Sequence, residues 1–201
     1  KNGQIIWIEV SAKISKNDFG EYDVIGVSRN ISKRKVLEEQ NKRNTNFHKV
    51  LAYLLSEFVK STLDNYEDTI NKMLSQIVRF FEADRAYLFL FSRTKTKIEN
   101  IYEYCSENIK PMIDNIKKIN IYEFPWLTQQ LNEFKPVFYN DINNLPENAS
   151  AEKKEYLKRN IKSIIRIPIK HNNLSTGFIG LDAIENKASW GQIDLLYLKI
   201  I

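Results

Sequence analysis

The start of the chain alternates between apolar and polar positions in two short runs. Residues 4–15 place Ile6, Ile8 and Val10 at every second position, and a second extended run follows at residues 22–27. The stretch between them, Lys16-Asn17-Asp18-Phe19-Gly20, has the composition of a turn. Period-two runs around such a turn predict an antiparallel β-hairpin. Because a lone hairpin is only marginally stable in water, we expect it to pack against another element.

The pattern becomes helical from Ser32 onwards. Ser32 is a candidate N-cap, and good helix formers follow over residues 33–43. Residues 38–46 are polar on all sides, which is typical of a helix that bridges solvent between domains. A stripe at three- and four-residue spacing then predicts one buried helix face, and it consists of Phe47, Val50, Leu51, Leu54, Leu55 and Phe58. A second helix is predicted over residues 65–81.

The rest of the chain mixes strands with short helices. The strand predicted at residues 86–91 is apolar on both faces, with Tyr87, Phe89 and Phe91 on one of them, so we expect it to be covered on both sides. Residues 140–154 are rich in Asn, Glu, Ala and Lys and are expected to be weakly ordered. Few connections suit parallel crossovers, which favours an antiparallel α+β fold. The remaining elements are predicted as strands at 98–105, 137–139, 163–170 and 176–183, and as helices near 122–134, near 156–160 and from 190 onwards.

The composition fits one core of ordinary domain size with a smaller attached element. The chain has 201 residues, of which 43% are hydrophobic and 27% charged, with few Gly and Pro. The net charge is +5, but acidic residues are mixed into nearly every basic stretch, as where Glu38 and Glu39 follow Lys33-Arg34-Lys35. A nucleic-acid site would gather its basic residues on one face. We therefore predict a solvated Lys-rich surface and no nucleic-acid partner.

The cysteine and histidine content and the hydropathy of the chain restrict the remaining classes of protein. The one cysteine, Cys105, excludes an intramolecular disulfide framework and agrees with a reducing, cytoplasmic compartment. His48 and His171 have no partner at ligand spacing, so no metal site is predicted. No apolar run approaches the roughly 20 residues that span a bilayer. Because the chain begins without Met and stops inside the amphipathic stretch 193–201, we expect a fragment whose last helix is truncated.

The N-terminal run begins with Lys1-Asn2-Gly3, and Ile6-Trp7-Ile8-Glu9-Val10-Ser11 follows. These residues are similar to the K-D-G … W-V-E-V-S strand of the PAC motif, which forms the end of a PAS domain. Residues 26–32 resemble its G-x-x-R-D-I-T ending, with Asn30 and Ser32 in place of Asp and Thr. The resemblance implies that residues 1–31 are the C-terminal hairpin of a truncated PAS domain without a PAS ligand, and that 32–46 form a helical linker.

Residues 47–201, about three-quarters of the chain, contain a series of short motifs in a fixed order. The motifs are Tyr104-Cys105-Ser106-Glu107, Pro111-Met112-Ile113-Asp114-Asn115, Phe124-Pro125-Trp126, residues 161–169, Gly177-Phe178-Ile179-Gly180-Leu181-Asp182 and Ser189-Trp190. Their order and spacing resemble those of GAF domains upstream of diguanylate-cyclase or histidine-kinase output domains. The resemblance implies a sheet of about six antiparallel strands, flanking helices, and dimerisation through terminal helices.

An aromatic cluster is the candidate ligand pocket. Ligand cavities are mostly apolar with a few polar groups, and Tyr hydroxyls, Arg166 and Asp182 could supply them. The alternative is that these aromatic side chains simply fill a core. The predicted pocket residues are Tyr87, Phe89, Phe91, Tyr102, Tyr104, Trp126, Phe138, Arg166 and Asp182.

Other ligand chemistries are not favoured by the sequence. Bilin-attaching GAF sites resemble a Cys–His pair, whereas Ser106 follows Cys105, so we expect Cys105 to serve packing. Asn186-Lys187 is the only similarity to the dispersed cyclic-nucleotide signature. The sequence contains no phosphate-binding loop, nucleophile elbow or His-containing kinase motif. No catalytic residue and no cofactor is therefore predicted, although the parent protein is expected to be of histidine-kinase or diguanylate-cyclase type.

The linker helix carries the predicted relay. Phe47, Leu51, Leu54 and Phe58 follow a 4–3–4 spacing that can seal a parallel helix pair; packing on the chain's own sheet is the alternative. The sequence thus predicts a sensory or regulatory module of a prokaryotic signalling protein. This module senses a small molecule, or relays a conformational change through a homodimer to an output domain in cis. The alternative function is a ligand-free dimerisation spacer.

Overall fold

The computed structural model describes residues 5–16, 18–113 and 118–201. The chain divides into two compact units, Lys1–Lys49 and Val50–Ile201. Lys1-Asn2-Gly3 of the PAC resemblance, Asn17 of the predicted turn, and Asp114-Asn115 of the GAF motifs lie outside the described residues. In the described part of the chain, no helix is both long and apolar enough to cross a membrane.

The first unit contains the predicted hairpin. Strands β1 (Ile8–Lys16) and β2 (Tyr22–Asn30) pair antiparallel, with Ile8 opposite Asn30 and Lys16 opposite Tyr22. Gly20 has a φ of +85°, a left-handed conformation that glycine adopts without steric cost. Alternation places Ile8, Val10 and Ile14 on one face, and all three are exposed. The hairpin itself is confirmed, and its origin in a PAS domain stays a prediction.

Helix α1 (Ser32–Lys60) begins where β2 ends. The predicted N-cap at Ser32 is wrong by one residue, because the Lys35 N–H already donates to the Ile31 carbonyl and so makes Ile31 the capping position. The side chain of Asn30 accepts a hydrogen bond from the Ser32 N–H at 2.9 Å. The acceptor at the turn between β2 and α1 is therefore an amide oxygen, and this hydrogen bond does not require a charged carboxylate at position 30.

The second unit is built on a six-stranded antiparallel sheet, in the order β5-β4-β3-β8-β7-β6. The hairpins β3–β4 and β7–β8 meet where β3 pairs with β8. This architecture confirms the predicted α+β fold. The strands are β3 (Arg85–Phe91), β4 (Lys97–Cys105), β5 (Lys118–Asn120), β6 (Val137–Tyr139), β7 (Ser163–His171) and β8 (Leu174–Ala183).

Helices cover the two faces of this sheet, as the doubly apolar β3 predicts. On one face α2 (Tyr66–Phe81) packs on β3 and β4, and α5 (Gln192–Ile200) packs on β7. On the other face α3 (Pro125–Asn132) and α4 (Ser150–Lys158) lie over a core that includes Phe89, Leu131 and Ile164. Pro125 occupies the first turn of α3, where a residue without an N–H is tolerated.

Residues 140–154 are structured, so the expectation of weak order is wrong. They form two 3-10 turns, Ile142–Asn144 and Glu147–Ala149, and then enter α4. Ile142, Leu145 and Ala149 are buried in the core between the polar positions. A few buried apolar side chains at 3–4 residue spacing anchor the segment, although its overall composition is polar.

Candidate functional site

A small cavity lies on the face of the sheet that α3 and α4 cover. Its volume is about 30 Å³, which is room for about one water molecule. Side chains of five strands and of α3 and α4 line it, and they include Tyr87, Phe89, Arg166, Phe178 and Asp182. Typical ligand cavities have volumes of roughly 300–1,000 Å³. In this conformation the cavity therefore accommodates no drug-sized molecule.

Stacked aromatic rings form the floor of the cavity. Phe89 and Phe178 lie directly opposite each other on β3 and β8, and their rings are parallel with centroids 5.2 Å apart. The ring of Tyr87 meets that of Phe89 edge-on at 5.3 Å. Gly180 lies opposite Tyr87, and a Cβ at this position would lie 2.3 Å from Tyr87 Cε2. Glycine is required there because the tyrosine ring occupies the space of its missing side chain.

A buried charge network lies beside these rings, with Asp182 at its centre. Its Oδ1 accepts hydrogen bonds from the Tyr87 hydroxyl at 3.0 Å and from Arg166 Nη2 at 2.7 Å. Its Oδ2 pairs with Arg85 Nη1 at 3.3 Å. Arg166 Nη1 also donates to the Ile165 and Leu181 carbonyls, both at 2.8 Å. The network thus satisfies its own charges inside the protein, as buried ions require.

A second buried carboxylate, Glu103, fixes the segment that follows β4, residues 106–113, which we call the covering segment. Glu103 Oε2 accepts hydrogen bonds from the Met112 N–H at 2.7 Å and the Ile113 N–H at 2.6 Å. Arg85 Nε lies 3.1 Å from Glu103 Oε1 as an ion pair, and Arg85 Nη2 donates to the Lys110 carbonyl. Because Met112 lines the cavity, this ion pair connects the charge network to the wall of the cavity.

Helix α4 directs two polar side chains inward, one helical turn apart. Glu152 is fully buried, and its Oε1 accepts a hydrogen bond from the Leu127 N–H at 3.0 Å, in the first turn of α3. A carboxylate at a helix N-terminus is favoured because that end has unpaired N–H groups and a positive dipole. Tyr156 lines the cavity, and its hydroxyl contacts no hydrogen-bonding group among the described residues.

Burial decides the protonation of the two tyrosines at the cavity. Desolvation raises the pKa of Tyr156 to about 12, although the nearby Arg166 opposes this shift. Desolvation also raises the pKa of Tyr87 well above its usual value. The Arg166 guanidinium lies 5.0 Å from the ring centroid of Tyr87 and 5.6 Å from that of Tyr156. Both hydroxyls therefore stay protonated at neutral pH, beside a guanidinium that stays charged.

The predicted pocket residues separate into three groups. Tyr87, Phe89, Arg166 and Asp182 line the cavity together. Phe91 and Trp126 belong to the surrounding core but do not line the cavity. Tyr102, Tyr104 and Phe138 lie on the opposite face of the sheet, since they pair with Leu88, Ala86 and Ile165 respectively, whose side chains point away from the cavity.

Several residues of this site are absent from the sequence-based prediction. Arg85 and Glu103 hold the covering segment, while Glu152 and Tyr156 come from a helix predicted only in part. The available signal was charge inside a strand: Arg85 begins β3, and Glu103 interrupts the apolar alternation of β4. In α4, the spacing of Glu152 and Tyr156 equals one helical turn, which places them on the same helix face.

The predicted stripe on α1 does not form one continuous exposed face. Phe47 and Leu54 are each only 2% exposed, and Leu51 is half-buried. Phe58 is 65% exposed, and its neighbours Leu55 and Val59 are exposed too. The stripe is therefore buried at two of its four positions, and an apolar patch remains accessible at the C-terminal end of the helix.

Cys105 lies at the end of β4, opposite Arg85, and is half-buried. Burial raises the pKa of its thiol, although Arg85 opposes the shift. A thiol with a raised pKa is a poor nucleophile at neutral pH. In the described part of the chain, no group of three or more His, Cys, Asp or Glu side chains is arranged to hold a metal ion.

Comparison with known proteins identifies the fold. No family model matches the sequence, and a search among curated proteins finds no relative. Solved structures do match. The phycoerythrobilin-bound GAF domain of a cyanobacterial phytochrome is 15% identical, with a TM-score of 0.64 over 78% of this chain and 91% of that one. A phycocyanobilin-bound GAF domain, also from a cyanobacterial phytochrome, is 16% identical, with a TM-score of 0.60 over 79% and 88% of the two chains.

A third similar structure comes from an enzyme system. It is the GAF domain of a phosphoenolpyruvate-protein phosphotransferase from Coxiella burnetii, 13% identical, with a TM-score of 0.61 over 77% of this chain and 86% of that one. At these identities the likeness establishes the fold and nothing further. The six-stranded antiparallel sheet with its flanking helices is the GAF fold.

Proposed function

We propose that this chain is a sensory or regulatory module of a signalling protein, and that its second unit takes a small molecule at the cavity beside Arg166 and Tyr156. One observation carries the proposal: a buried tyrosine hydroxyl lines a cavity and contacts no hydrogen-bonding group of the described residues. Unpartnered buried polar groups are rare in native proteins and call for an explanation. The structurally similar GAF domains with bound bilins support a ligand in this fold.

Ligand entry requires the cavity to expand from its volume of about 30 Å³. Met112 is the residue of the covering segment that lines the cavity, and Glu103 and Arg85 bind the backbone of this segment at Lys110, Met112 and Ile113. Displacement of Met112 would enlarge the cavity without breaking the sheet. The proposal assigns no catalytic role to these residues, since the charged groups are engaged with one another.

A cavity-filling variant tests the ligand site. Ile161 lines the cavity, and Ile161→Phe adds three carbon atoms there. In a thermal-shift screen with small metabolites, we expect at least one compound to raise the unfolding midpoint of the wild-type chain but not that of Ile161→Phe. Overpacking itself costs about 1–3 kcal/mol, so each compound is compared with the same variant free of compound.

The matched control is Ile193→Phe, the same substitution at an exposed position of α5. It should retain the wild-type response to every compound. A screen in which no compound shifts the wild-type midpoint would favour the second candidate function, a ligand-free spacer. The small volume of the cavity is the observation in favour of that alternative.

The proposal includes a relay through a homodimer to an output domain in cis. Leu55, Phe58 and Val59 form an exposed apolar patch on α1, and such patches are candidate contact surfaces. By light scattering we expect the chain to have the mass of a dimer, and Phe58→Ser to shift the equilibrium towards monomer. Tyr122→Ser, which removes another exposed aromatic ring, should leave the mass unchanged. A wild-type chain that is strictly monomeric at high concentration would contradict the relay.

A further inference from the structure

We infer that the cavity selects a small uncharged ligand with an apolar, planar body and one oxygen or nitrogen that accepts a hydrogen bond from the Tyr156 hydroxyl. The inference rests on the proposed function, because it specifies the ligand of that same site. Three independent features of the cavity wall support it: the pairing of its charges, the position of the free hydroxyl, and the aromatic floor.

Every charged side chain that lines the cavity is already paired. Arg166 and Asp182 bind each other at 2.7 Å, and both are almost fully buried. Arg159, the other cation of the wall, follows the last residue of α4 and forms a partly exposed ion pair with Glu155 of that helix. A charged ligand that broke the Arg166–Asp182 pair would leave an uncompensated buried ion, which is strongly unfavourable. A ligand anion that replaced Glu155 at Arg159 would gain little, because exposed ion pairs contribute little free energy. The wall therefore disfavours anions and cations alike.

The Tyr156 hydroxyl is the polar group that remains available on the wall. It is buried, it contacts no hydrogen-bonding group of the described residues, and its raised pKa keeps it a donor throughout the neutral range. The Tyr87 hydroxyl is different because it already donates to Asp182. The other polar side chains that line the wall already have hydrogen-bond or ion-pair partners. This single free donor therefore matches one hydrogen-bond acceptor atom on the ligand.

The rest of the wall is apolar, and aromatic rings form its floor. The parallel rings of Phe89 and Phe178 lie on the sheet side, and Leu127 and Phe124 lie on the helix side. Aromatic rings of this kind favour offset-stacked or edge-on contact with a second flat ring. Glu152, an acid of α4 without an ion-pair partner among the described residues, does not line the cavity, and its Oε1 accepts a hydrogen bond from the Leu127 N–H.

The test uses four ring compounds of nearly equal size: benzamide, benzoate, benzylamine and toluene. They differ in charge and in whether they carry a neutral acceptor. Binding is measured by NMR titration of the full chain, in wild type and in two enlarged variants. Phe124→Ala removes the equivalent of a benzene ring from the wall, which brings the cavity near the size that holds benzene in an engineered core. Met112→Ala is the second variant and removes less of the core.

We expect benzamide to bind the enlarged variants at least about tenfold more tightly than benzoate or benzylamine. Tyr156→Phe in the same background should weaken benzamide about fivefold, the effect of one lost hydrogen bond, and should leave toluene unchanged. Tyr122→Phe, which removes an exposed hydroxyl, should change neither affinity.

The outcomes distinguish an error in the ligand class from a failure of the proposed function. If benzoate or benzylamine binds as tightly as benzamide, or if Tyr156→Phe affects benzamide and toluene equally, the ligand class is wrong while the site stands. If none of the four compounds binds the wild type and no metabolite raises its unfolding midpoint, the cavity is not a ligand site of the natural chain, whatever the enlarged variants bind, and the proposed function fails with it.

Discussion

Replacement of Asp182 by Ala is expected to lower the free energy of unfolding of the second unit by about 3–5 kcal/mol. The carboxylate is fully buried and is the shared acceptor of Tyr87, Arg166 and Arg85. Its removal leaves the Arg166 guanidinium in the interior without its counter-ion, whereas Arg85 keeps its ion pair with Glu103. The cost comes mainly from the uncompensated charge of Arg166, since the net value of an intact buried pair is small.

Tryptophan fluorescence during urea unfolding measures this effect. Trp126 and Trp190 are buried in the second unit, and a Trp7→Phe background removes the signal of the hairpin. Asp182→Asn serves as a conservative variant, because it can still accept a hydrogen bond from Tyr87, and we expect an intermediate loss. Asp64→Ala, an exposed aspartate before α2, should change stability by no more than about 0.5 kcal/mol. A loss below about 1 kcal/mol for Asp182→Ala would show that the network is not held together by Asp182.

The same network explains which parts of the site the sequence could predict. Alternation within one strand is a local property, so Tyr87, Phe89 and Phe91 were placed correctly on one face from their spacing alone. Arg166 and Asp182, which lie in mostly apolar strands, are predicted as polar groups of the pocket as well. Both occupy positions that face the cavity.

Tyr102 and Tyr104 are positions at which alternation alone predicts the wrong face of the sheet. Ile98 and Asn100 face the cavity side of β4, and plain alternation would put Tyr102 and Tyr104 there as well. The ladder shifts by one residue between Leu88 and Phe89, so that Ile101 is the extra residue on β4. A bulge of this kind inverts the faces of all later positions in the strand. Glu103 consequently takes the inward position that the tyrosines were predicted to occupy.

The contacts of Tyr156 and Glu152 were beyond prediction for a different reason. Helix α4 is mostly polar, and its inward face is defined by packing against α3 and the preceding 3-10 turn rather than by a strong apolar stripe. Which polar residue of such a helix is buried depends on tertiary contacts with residues far away in the sequence. Leu127, for example, meets Glu152 across 25 positions.

A single added methyl group at Gly177 is expected to destabilise the second unit by about 3 kcal/mol or more, the upper range of overpacking. Gly177 pairs with Leu90 where β8 meets β3. A Cβ there would lie 2.1 Å from the Phe89 carbonyl oxygen and 2.9 Å from Leu90 Cα. Both atoms belong to the backbone, so no side-chain rotation can relieve the contact, and the strands themselves must separate.

Alanine substitutions at two other glycines provide the comparison for this result. Gly180→Ala meets the ring of Tyr87, which can move at the expense of its bond to Asp182, so we expect a smaller loss of stability than for Gly177→Ala. Gly191→Ala meets nothing closer than 3.9 Å and should cost about 1 kcal/mol or less, the effect of a poorer N-cap. Urea unfolding of the three variants measures the order. If Gly177→Ala is as stable as Gly191→Ala, the β3–β8 seam is not the close backbone contact described above. That seam brings Arg85 and Tyr87 to Asp182, so its separation would also weaken the charge network on which the proposed ligand site depends.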